Sequence, residues 1–334
     1  MSIVFGSRVV GWGSYLPANL VTNDDLAKRV DTSDEWITSR TGIKQRYIAA
    51  DDQFTSHLAF EAGRAAIGKA GIAPEEIDLV IVATSTPDST MPSTAAKVAR
   101  MLKLGAASSE SRGNFAGAFD MNAACSGFVY ALSVADSMLK NAMGKYALVI
   151  GAETLSRIVD WEDRSTCVLF GDGAGAFVLE RQSADSASSS GIIATRIHCD
   201  GNLADLIITS GGVSTTQTAG VMQMQGQEVF RNAVTKLSED LIQTLAINGL
   251  TLEQLDFLVP HQANARILTK LAEKVGVPSA KVIVTVDRHA NTSAASIPLA
   301  ICAAIDDGRI KKGNLLALQG IGSGLTWATS LLKW

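Results

Sequence analysis

The sequence predicts an α/β fold made of two repeated halves, each running helix, strand, helix, strand around mainly parallel sheets. Three observations carry this expectation. Short apolar runs alternate with helical periodicity along 334 residues, a length of about two domains at roughly 150 residues each. The central runs are continuously apolar, as strands are when helices cover both faces of a parallel sheet. The order of elements also recurs: Gly71-Ile-Ala-Pro-Glu-Glu-Ile77-Asp78 precedes Leu79-Val-Ile-Val-Ala83, and Gly249-Leu-Thr-Leu-Glu-Gln-Leu255-Asp256 precedes Phe257-Leu-Val259.

The elements follow in order. Helices are expected over 55–70 and 228–248, each ending near a glycine that suits a helix C-terminus. Phe119-Asp-Met-Asn122 forms a short strand before a helical pattern over 126–139. Tyr146-Ala-Leu-Val-Ile150-Gly matches Leu315-Leu-Ala-Leu318-Gln-Gly, and Gly171-Asp-Gly-Ala-Gly175 matches Gly320-Ile-Gly-Ser-Gly324. Lys281-Val-Ile-Val-Thr-Val286-Asp287 is expected to be a strand leading through Arg288-His-Ala-Asn291 into a last helix. The small-residue stretch 183–190 is the expected connection between halves 1–182 and 191–334, and 105–117 is a second surface loop.

Composition excludes several function classes. The balance of 29 Lys plus Arg against 33 Asp plus Glu, net −4, argues against nucleic acid as a partner, and 47% apolar content excludes intrinsic disorder. No apolar run approaches the roughly 18 residues of a membrane span; even 297–305 is short and holds Pro298. With no basic, long-apolar leader, a cytoplasmic location is expected. Cys125, Cys167, Cys199 and Cys302 form no CxxC pair, which argues against a disulfide framework and a zinc knuckle. His57, His198, His261 and His289 lack HExxH spacing, so a catalytic metal is not expected.

Chemistry concentrates at the strand-to-helix junctions. Cys125 falls at one, where unpaired backbone N–H groups and the positive dipole end favour thiolate over thiol. The alternative is a small buried packing residue. By the repeat, Asn291 holds nearly the place of Cys125 in the second half, and a pseudo-twofold arrangement would bring the two junctions together. His261 follows the apolar run that ends at Pro260, at the carboxyl end where α/β sheets usually bind ligands. The other candidates are weaker. His198 and Cys199 are adjacent in a strand and point to opposite faces. His57 lies in an amphipathic helix, and His289 fits a residue that holds a turn. The two glycine runs precede β-like residues and do not fit GxGxxG opening a helix, so close backbone packing near a site explains them better than phosphate binding.

Together Asn122-Ala-Ala-Cys125-Ser-Gly, His261-Gln-Ala-Asn264-Ala-Arg266, Asn291-Thr-Ser-Ala-Ala-Ser, Phe170-Gly-Asp-Gly-Ala-Gly and Asp34-Glu-Trp36-Ile-Thr-Ser-Arg40-Thr41-Gly-Ile resemble β-ketoacyl-acyl-carrier-protein synthase III over nearly the whole chain. The resemblance implies the thiolase fold, two α/β halves in an αβαβα arrangement, with the nucleophile in the first half and His and Asn in the second. It implies a homodimeric acyltransferase that needs no cofactor. Cys125 would take an acyl group from acyl-CoA, and His261 and Asn291 would bind the thioester oxygen of malonyl-acyl-carrier protein during decarboxylation and condensation. Cys125 and Ser323 backbone N–H groups would form an oxyanion hole. Trp36 and Arg164 would hold the CoA adenine, with Arg40, Thr41, Gly226, Phe230 and Asn264 along the phosphate and pantetheine path. Arg266, Lys270 and Lys274, on one helix face, and Arg231 would dock the acidic carrier protein. Met91, reaching the partner subunit, and Leu169 would shape the acyl pocket.

The chain departs from the family pattern at Ile321, where better-known bacterial members have Phe, and at Ser323, where they have a third Gly. The first change removes a ring near the malonyl site, and the second tests whether that position needs a positive φ. Three rival readings stand beside the first: a related acyltransferase or secondary-metabolism synthase with another acceptor, a biosynthetic thiolase, and a noncatalytic acyl-CoA or carrier-protein binding module. A thiolase is expected to carry a second cysteine near the C-terminal glycine loop, and none follows Cys302.

Overall fold

The computed structural model of the chain describes residues 6–104, 115–182 and 189–334. Most of the expected loop at 105–117 and of the expected connection at 183–190 lies outside these residues. The strands are β1 (Arg8–Tyr15), β2 (Asn19–Thr22), β3 (Gln45–Ile48), β4 (Ile77–Ala83), β5 (Gly117–Met121), β6 (Tyr146–Thr154), β7 (Asp172–Glu180), β8 (Gly191–Cys199), β9 (Ile207–Thr209), β10 (Met222–Met224), β11 (Phe257–Pro260), β12 (Leu315–Gly322) and β13 (Thr326–Lys333). The helices are α1 (Asn23–Ala27), α2 (Asp34–Thr41), α3 (Thr55–Ala70), α4 (Thr94–Met101), α5 (Gly127–Lys140), α6 (Gly226–Ile247), α7 (Ala265–Val275), α8 (Val286–His289) and α9 (Ser296–Asp306).

One sheet runs β1-β7-β6-β4-β5 and a second runs β8-β13-β12-β11. The second repeats the first four strands of the first and, among the described residues, has no counterpart of β5. In the first, β6–β4 and β4–β5 are parallel while β1–β7 and β7–β6 are antiparallel. In the second, β11–β12 is parallel and the other two pairs are antiparallel. The sheets are therefore mixed rather than mainly parallel. A three-residue turn joins β12 to β13, and so short a connection can only return antiparallel. The two glycine runs do not sit at equivalent places: Gly171 to Gly175 opens β7, whereas Gly320 to Gly324 ends β12 and forms the following turn.

Helices α3 and α4 cover the outer face of the first sheet, α5 and α9 lie between the sheets, and α6 and α7 cover the outer face of the second. These are five layers, α-β-α-β-α. The central layer is largely apolar because both of its faces meet a sheet: Phe128, Leu132 and Leu139 of α5 and Ile297 and Ile301 of α9 are buried. Removing one such side chain to Ala costs about 2–5 kcal/mol. Helix α3 begins where the His57 ring nitrogen accepts the Phe54 N–H at 2.9 Å and ends at Gly71, whose φ of +68° suits a helix terminus. His57 is thus a capping residue.

The expected strand over 281–287 is not one. Only Val282 bridges to Leu258, after which the Thr285 and Val286 N–H groups donate to Gln262 Oε1 at 2.7 and 3.1 Å. A buried side-chain acceptor in place of a neighbouring strand turns the chain into α8, β-branched residues notwithstanding.

Candidate active site

Two junctions between the sheets are built alike. Asn122 Oδ1 accepts the Ala124 N–H at 3.1 Å, and Asn291 Oδ1 accepts the Ser293 N–H at 2.9 Å. Ala124 and Ser293 take φ of +46° and +47°, uncommon for residues with a side chain, and each opens a single 3₁₀ turn that runs into α5 or α9. Asn291 is therefore the counterpart of Asn122, and Cys125 of Ala294. The expected equivalence of Asn291 with Cys125 is off by three residues. One turn presents a thiol and the other an amide, and because Asn291 Oδ1 is taken by a backbone N–H, its Nδ2 is the group left to donate.

Both turns meet at one cavity of about 720 Å³, lined by Cys125, His261, Asn291 and Ser323 together. Its buried end holds His261 and Asn291, and its exposed end holds Arg40, Gly226 and Arg266. Trp36, Thr41, Leu169, Phe230 and Asn264 also line it. The β12 backbone reaches the nucleophile turn only because it carries glycine: a Cβ on Gly322 would lie 2.5 Å from the Cys125 backbone nitrogen, and one on Gly320 2.8 Å from the Ser126 Cα. Close approach is thus the role of this glycine run. Positive φ belongs to Gly324, not to Ser323, whose hydroxyl donates to the Ile207 carbonyl at 2.5 Å and ties the turn to β9. Ile321 lines the cavity and packs beneath α6 and α7.

His261 follows β11, where its N–H donates to the Gln319 carbonyl at 2.7 Å. Its Nδ1 lies 2.6 Å from Ser296 Oγ, which also accepts the Gln262 N–H at 3.3 Å. With Nδ1 engaged by Ser296, Nε2 is the ring nitrogen left to face the cavity, and it carries the proton when the Ser296 hydroxyl donates to Nδ1. Burial lowers the His261 pKa to about 3, so the ring is neutral. Burial acts oppositely on Cys125 and pushes its thiol up to about 12; the Ser293 hydroxyl lowers it and the Glu153 charge raises it further. Desolvation therefore works against the thiolate expected at the helix start, while the Ser293 hydroxyl works for it.

The remaining expected residues divide. Ser33 caps α2, which presents Trp36 and Arg40 one turn apart; the Arg40 and Arg164 guanidinium groups lie 4.5 and 5.1 Å from the Trp36 ring centre. Arg164 lies outside the cavity lining and donates to the Asp31 carbonyl at 2.8 Å. Asn264 caps α7 and its Nδ2 donates to the Arg40 carbonyl at 3.2 Å, coupling α7 to α2. Of the expected docking cations only Arg266 reaches the cavity; Arg231 pairs with Glu228, Lys270 pairs with Glu273 at 2.6 Å, and Lys274 donates to Thr235. Met91 is 83% exposed and away from this chain's cavity. His198 pairs with Asp240 and stacks on Trp327, and His289 is buried against Tyr47.

Sequence reasoning missed Gln262, Ser293, Ser296 and Glu153. Glu153 had a visible signal, a carboxylate inside β6, a strand buried along its whole length. Among the described residues no group of three or more His, Cys, Asp or Glu could hold a metal, and no helix is long and apolar enough to cross a membrane.

Residues 119–201 match the family model for 3-oxoacyl-[acyl-carrier-protein] synthase III, and residues 245–334 match the model for its C-terminal part. The chain is 56% identical over 328 residues to the β-ketoacyl-[acyl-carrier-protein] synthase III of Erythrobacter litoralis, covering 98% of this chain and 99% of that one. It is 52% identical to that of Rhodospirillum centenum over the same shares. The crystal structure of 3-oxoacyl-[acyl-carrier-protein] synthase III from Aquifex aeolicus superposes with a TM-score of 0.90 at 46% identity, over 98% of this chain and 100% of that one. The five layers are the thiolase fold, and the chain belongs to the β-ketoacyl-acyl-carrier-protein synthase III family.

Proposed function

We propose that the chain condenses an acyl-CoA primer, acetyl or somewhat longer, with malonyl-acyl-carrier protein and starts type II fatty acid synthesis, with Cys125 as nucleophile and His261 and Asn291 as donors. One observation carries this reading: a thiol, a neutral imidazole and an oriented amide line a single cavity. Attack of Cys125 Sγ on the primer carbonyl forms an acyl-enzyme and releases CoA as its thiol. The malonyl thioester oxygen then lies against His261 Nε2–H and Asn291 Nδ2. As the bond to the carboxylate breaks, carbon dioxide leaves and charge builds on that oxygen. Neutral donors fixed there stabilise the enolate more than the ground state. The carbanion attacks the Cys125 thioester and releases β-ketoacyl-carrier protein. The Cys125 and Ser323 N–H groups serve the tetrahedral states at the acyl carbon.

The rest of the reading follows the cavity outward. Trp36 and Arg164 receive the adenine, Arg40, Thr41, Gly226, Phe230 and Asn264 follow the CoA chain, and Leu169 borders the acyl group. Arg231, Arg266, Lys270 and Lys274 dock the carrier protein, although the ion pairs at Arg231 and Lys270 must open for those two to act. Exposure of Met91 fits a homodimer in which it enters the partner's acyl pocket. A division into halves 1–182 and 191–334 is supported by the two sheets, whose strands come from 8–180 and 191–333. The enzyme would work in the cytoplasm without a cofactor. Incubation with acetyl-CoA and malonyl-carrier protein should give β-ketoacyl-carrier protein and an acetyl mass gain on Cys125; a Cys125→Ala variant that still condenses at the full rate would sink the assignment.

A further inference from the structure

One wall of the cavity belongs to neither main sheet. Strands β9 and β10 form a separate two-stranded ribbon, pairing Ile207 with Met224 and Thr209 with Met222, and line the cavity with Ile207, Ile208, Thr209, Met222 and Met224. A two-stranded ribbon is marginal by itself in water, so its position rests on what ties it down. One tie is main-chain: the Met222 N–H donates to the Ile158 carbonyl at 2.7 Å. Another is a side chain, the Ser323 hydroxyl, which donates to the Ile207 carbonyl at 2.5 Å where the ribbon begins. The glycine of the family pattern could not make this bond. From Ser323 the contacts run on to the nucleophile. Thr326 Oγ1 lies 2.9 Å from the Ser323 carbonyl oxygen, 3.1 Å from the Ala123 carbonyl oxygen and 2.9 Å from Ser126 Oγ. Ala123 and Ser126 bound the turn that carries Cys125. One residue thus joins the ribbon to the nucleophile turn.

We propose that the Ser323 hydroxyl is a positioning group that makes acylation of Cys125 depend on the pantetheine arm of the donor. This rests on the reading of Cys125 as the residue acylated from acyl-CoA. The arm is a chain of methylenes and amides, and β10 is followed after one residue by Gly226 and the start of α6, along which that reading runs it. An arm lying there packs on the ribbon and holds it in place. Through the Ile207 carbonyl that hold passes to Ser323, where it narrows the positions open to the Ser323 N–H and, through Thr326, to the Cys125 turn. Binding energy from a part of the donor remote from the thioester is then used at the reacting carbon, which raises the limiting rate and not only the affinity. A short thioester leaves the ribbon uncovered and gains nothing from it. Without the hydroxyl, ribbon and turn move independently and the full arm loses its advantage.

The test is single-turnover acetylation of Cys125, read by intact mass over a range of donor concentrations. The donors are acetyl-CoA and S-acetyl-N-acetylcysteamine, which keeps the thioester and lacks most of the arm. In the unmodified chain the limiting rate with acetyl-CoA should exceed that with the short donor by at least about 10-fold. Ser323→Ala should lower the acetyl-CoA limiting rate about 10-fold, the worth of one hydrogen bond, and the short-donor rate by about twofold at most. Ser323→Thr, which restores the hydroxyl, should recover most of the loss. Should Ser323→Ala fail a circular-dichroism check of folding, Ser323→Gly carries the same expectation. Equal losses with both donors would make the hydroxyl a general support of the turn and overturn the proposal, as would a change confined to the half-saturating concentration, or no change. Equal limiting rates for the two donors in the unmodified chain would overturn it as well. No acetyl gain on Cys125 from either donor in the unmodified chain would instead overturn the reading on which it rests.

Discussion

Ser296, at the start of α9, and His261, at the end of β11, are 35 residues apart in sequence and 2.6 Å apart in space. This contact sets which imidazole nitrogen faces the cavity, and a neutral ring whose Nδ1 accepts from Ser296 donates there through Nε2. Removing the hydroxyl leaves a buried Nδ1 without its partner, a loss of about 1–3 kcal/mol in the orientation of the ring. A Ser296→Ala variant should condense about 10–100-fold more slowly at each such cost, while acetylation of Cys125 proceeds unchanged. Comparing intact-mass acylation with carbon dioxide release separates the two steps. Equal losses in both would contradict this role.

At Asn291 the amide is oriented by the Ser293 N–H. An Asn291→Asp substitution keeps that acceptor and exchanges the donor for a negative oxygen facing the developing enolate. Carbon dioxide release should fall by about 100–1000-fold, with the acyl-enzyme still forming. An acyl-enzyme that decarboxylates malonyl-carrier protein normally in this variant would remove Asn291 from the oxyanion site.

Gly322 tests the close approach of β12. A methyl group there would sit 2.5 Å from the Cys125 backbone nitrogen, a contact no flexible side chain can relieve. Gly322→Ala should displace the nucleophile turn and cut acylation at least about 100-fold, since small misplacements of reacting groups are expensive. Gly201→Ala, where nothing lies within 4 Å and φ is not positive, is the matched control and should behave as the unmodified chain.

Stability against pH has a definite sign at three buried groups. His261 and His289 are held near 3 and 4, below the ordinary value of 6.5. Their contribution is complete above about 6.5 and is lost as pH falls toward those values, because the unfolded chain binds the protons first. From pH 7 to 5 each should cost about 2 kcal/mol. Glu153 runs the other way: raised from 4.5 to about 7, it favours the folded state below 4.5 and loses that advantage as pH rises through 7. Glu153→Gln should therefore be more stable than the unmodified chain at pH 8, by up to about 3 kcal/mol, with the difference gone at pH 4. Urea midpoints across this range measure it, and a variant less stable at pH 8 would show that the carboxylate is not under strain.

Much of this was legible in the chain itself. The apolar runs at 79–83 and 146–150, which became the cores of β4 and β6, and the helix over 55–70 follow from local pattern, and the nucleophile's place at a strand-to-helix junction follows from the same period change. The motifs around Cys125, His261 and Asn291 name the family because each is contiguous. Lys281 to Asp287 went astray for the complementary reason: its propensity is for strand, but Gln262, from a different segment, offers the acceptor that bends it.

Sequence alone, then, determined the alternation of layers, the family and the residue types brought to the cavity, since these depend on periodicity and on short motifs. Tertiary structure decided the desolvation of the thiol, the ring nitrogen of His261 left to face the cavity, the counterpart of Asn291 and the company of Glu153. Those depend on desolvation and on hydrogen bonds between β6 and the segment after β4 and between the end of β11 and the start of α9, partners that only folding brings within a few ångströms.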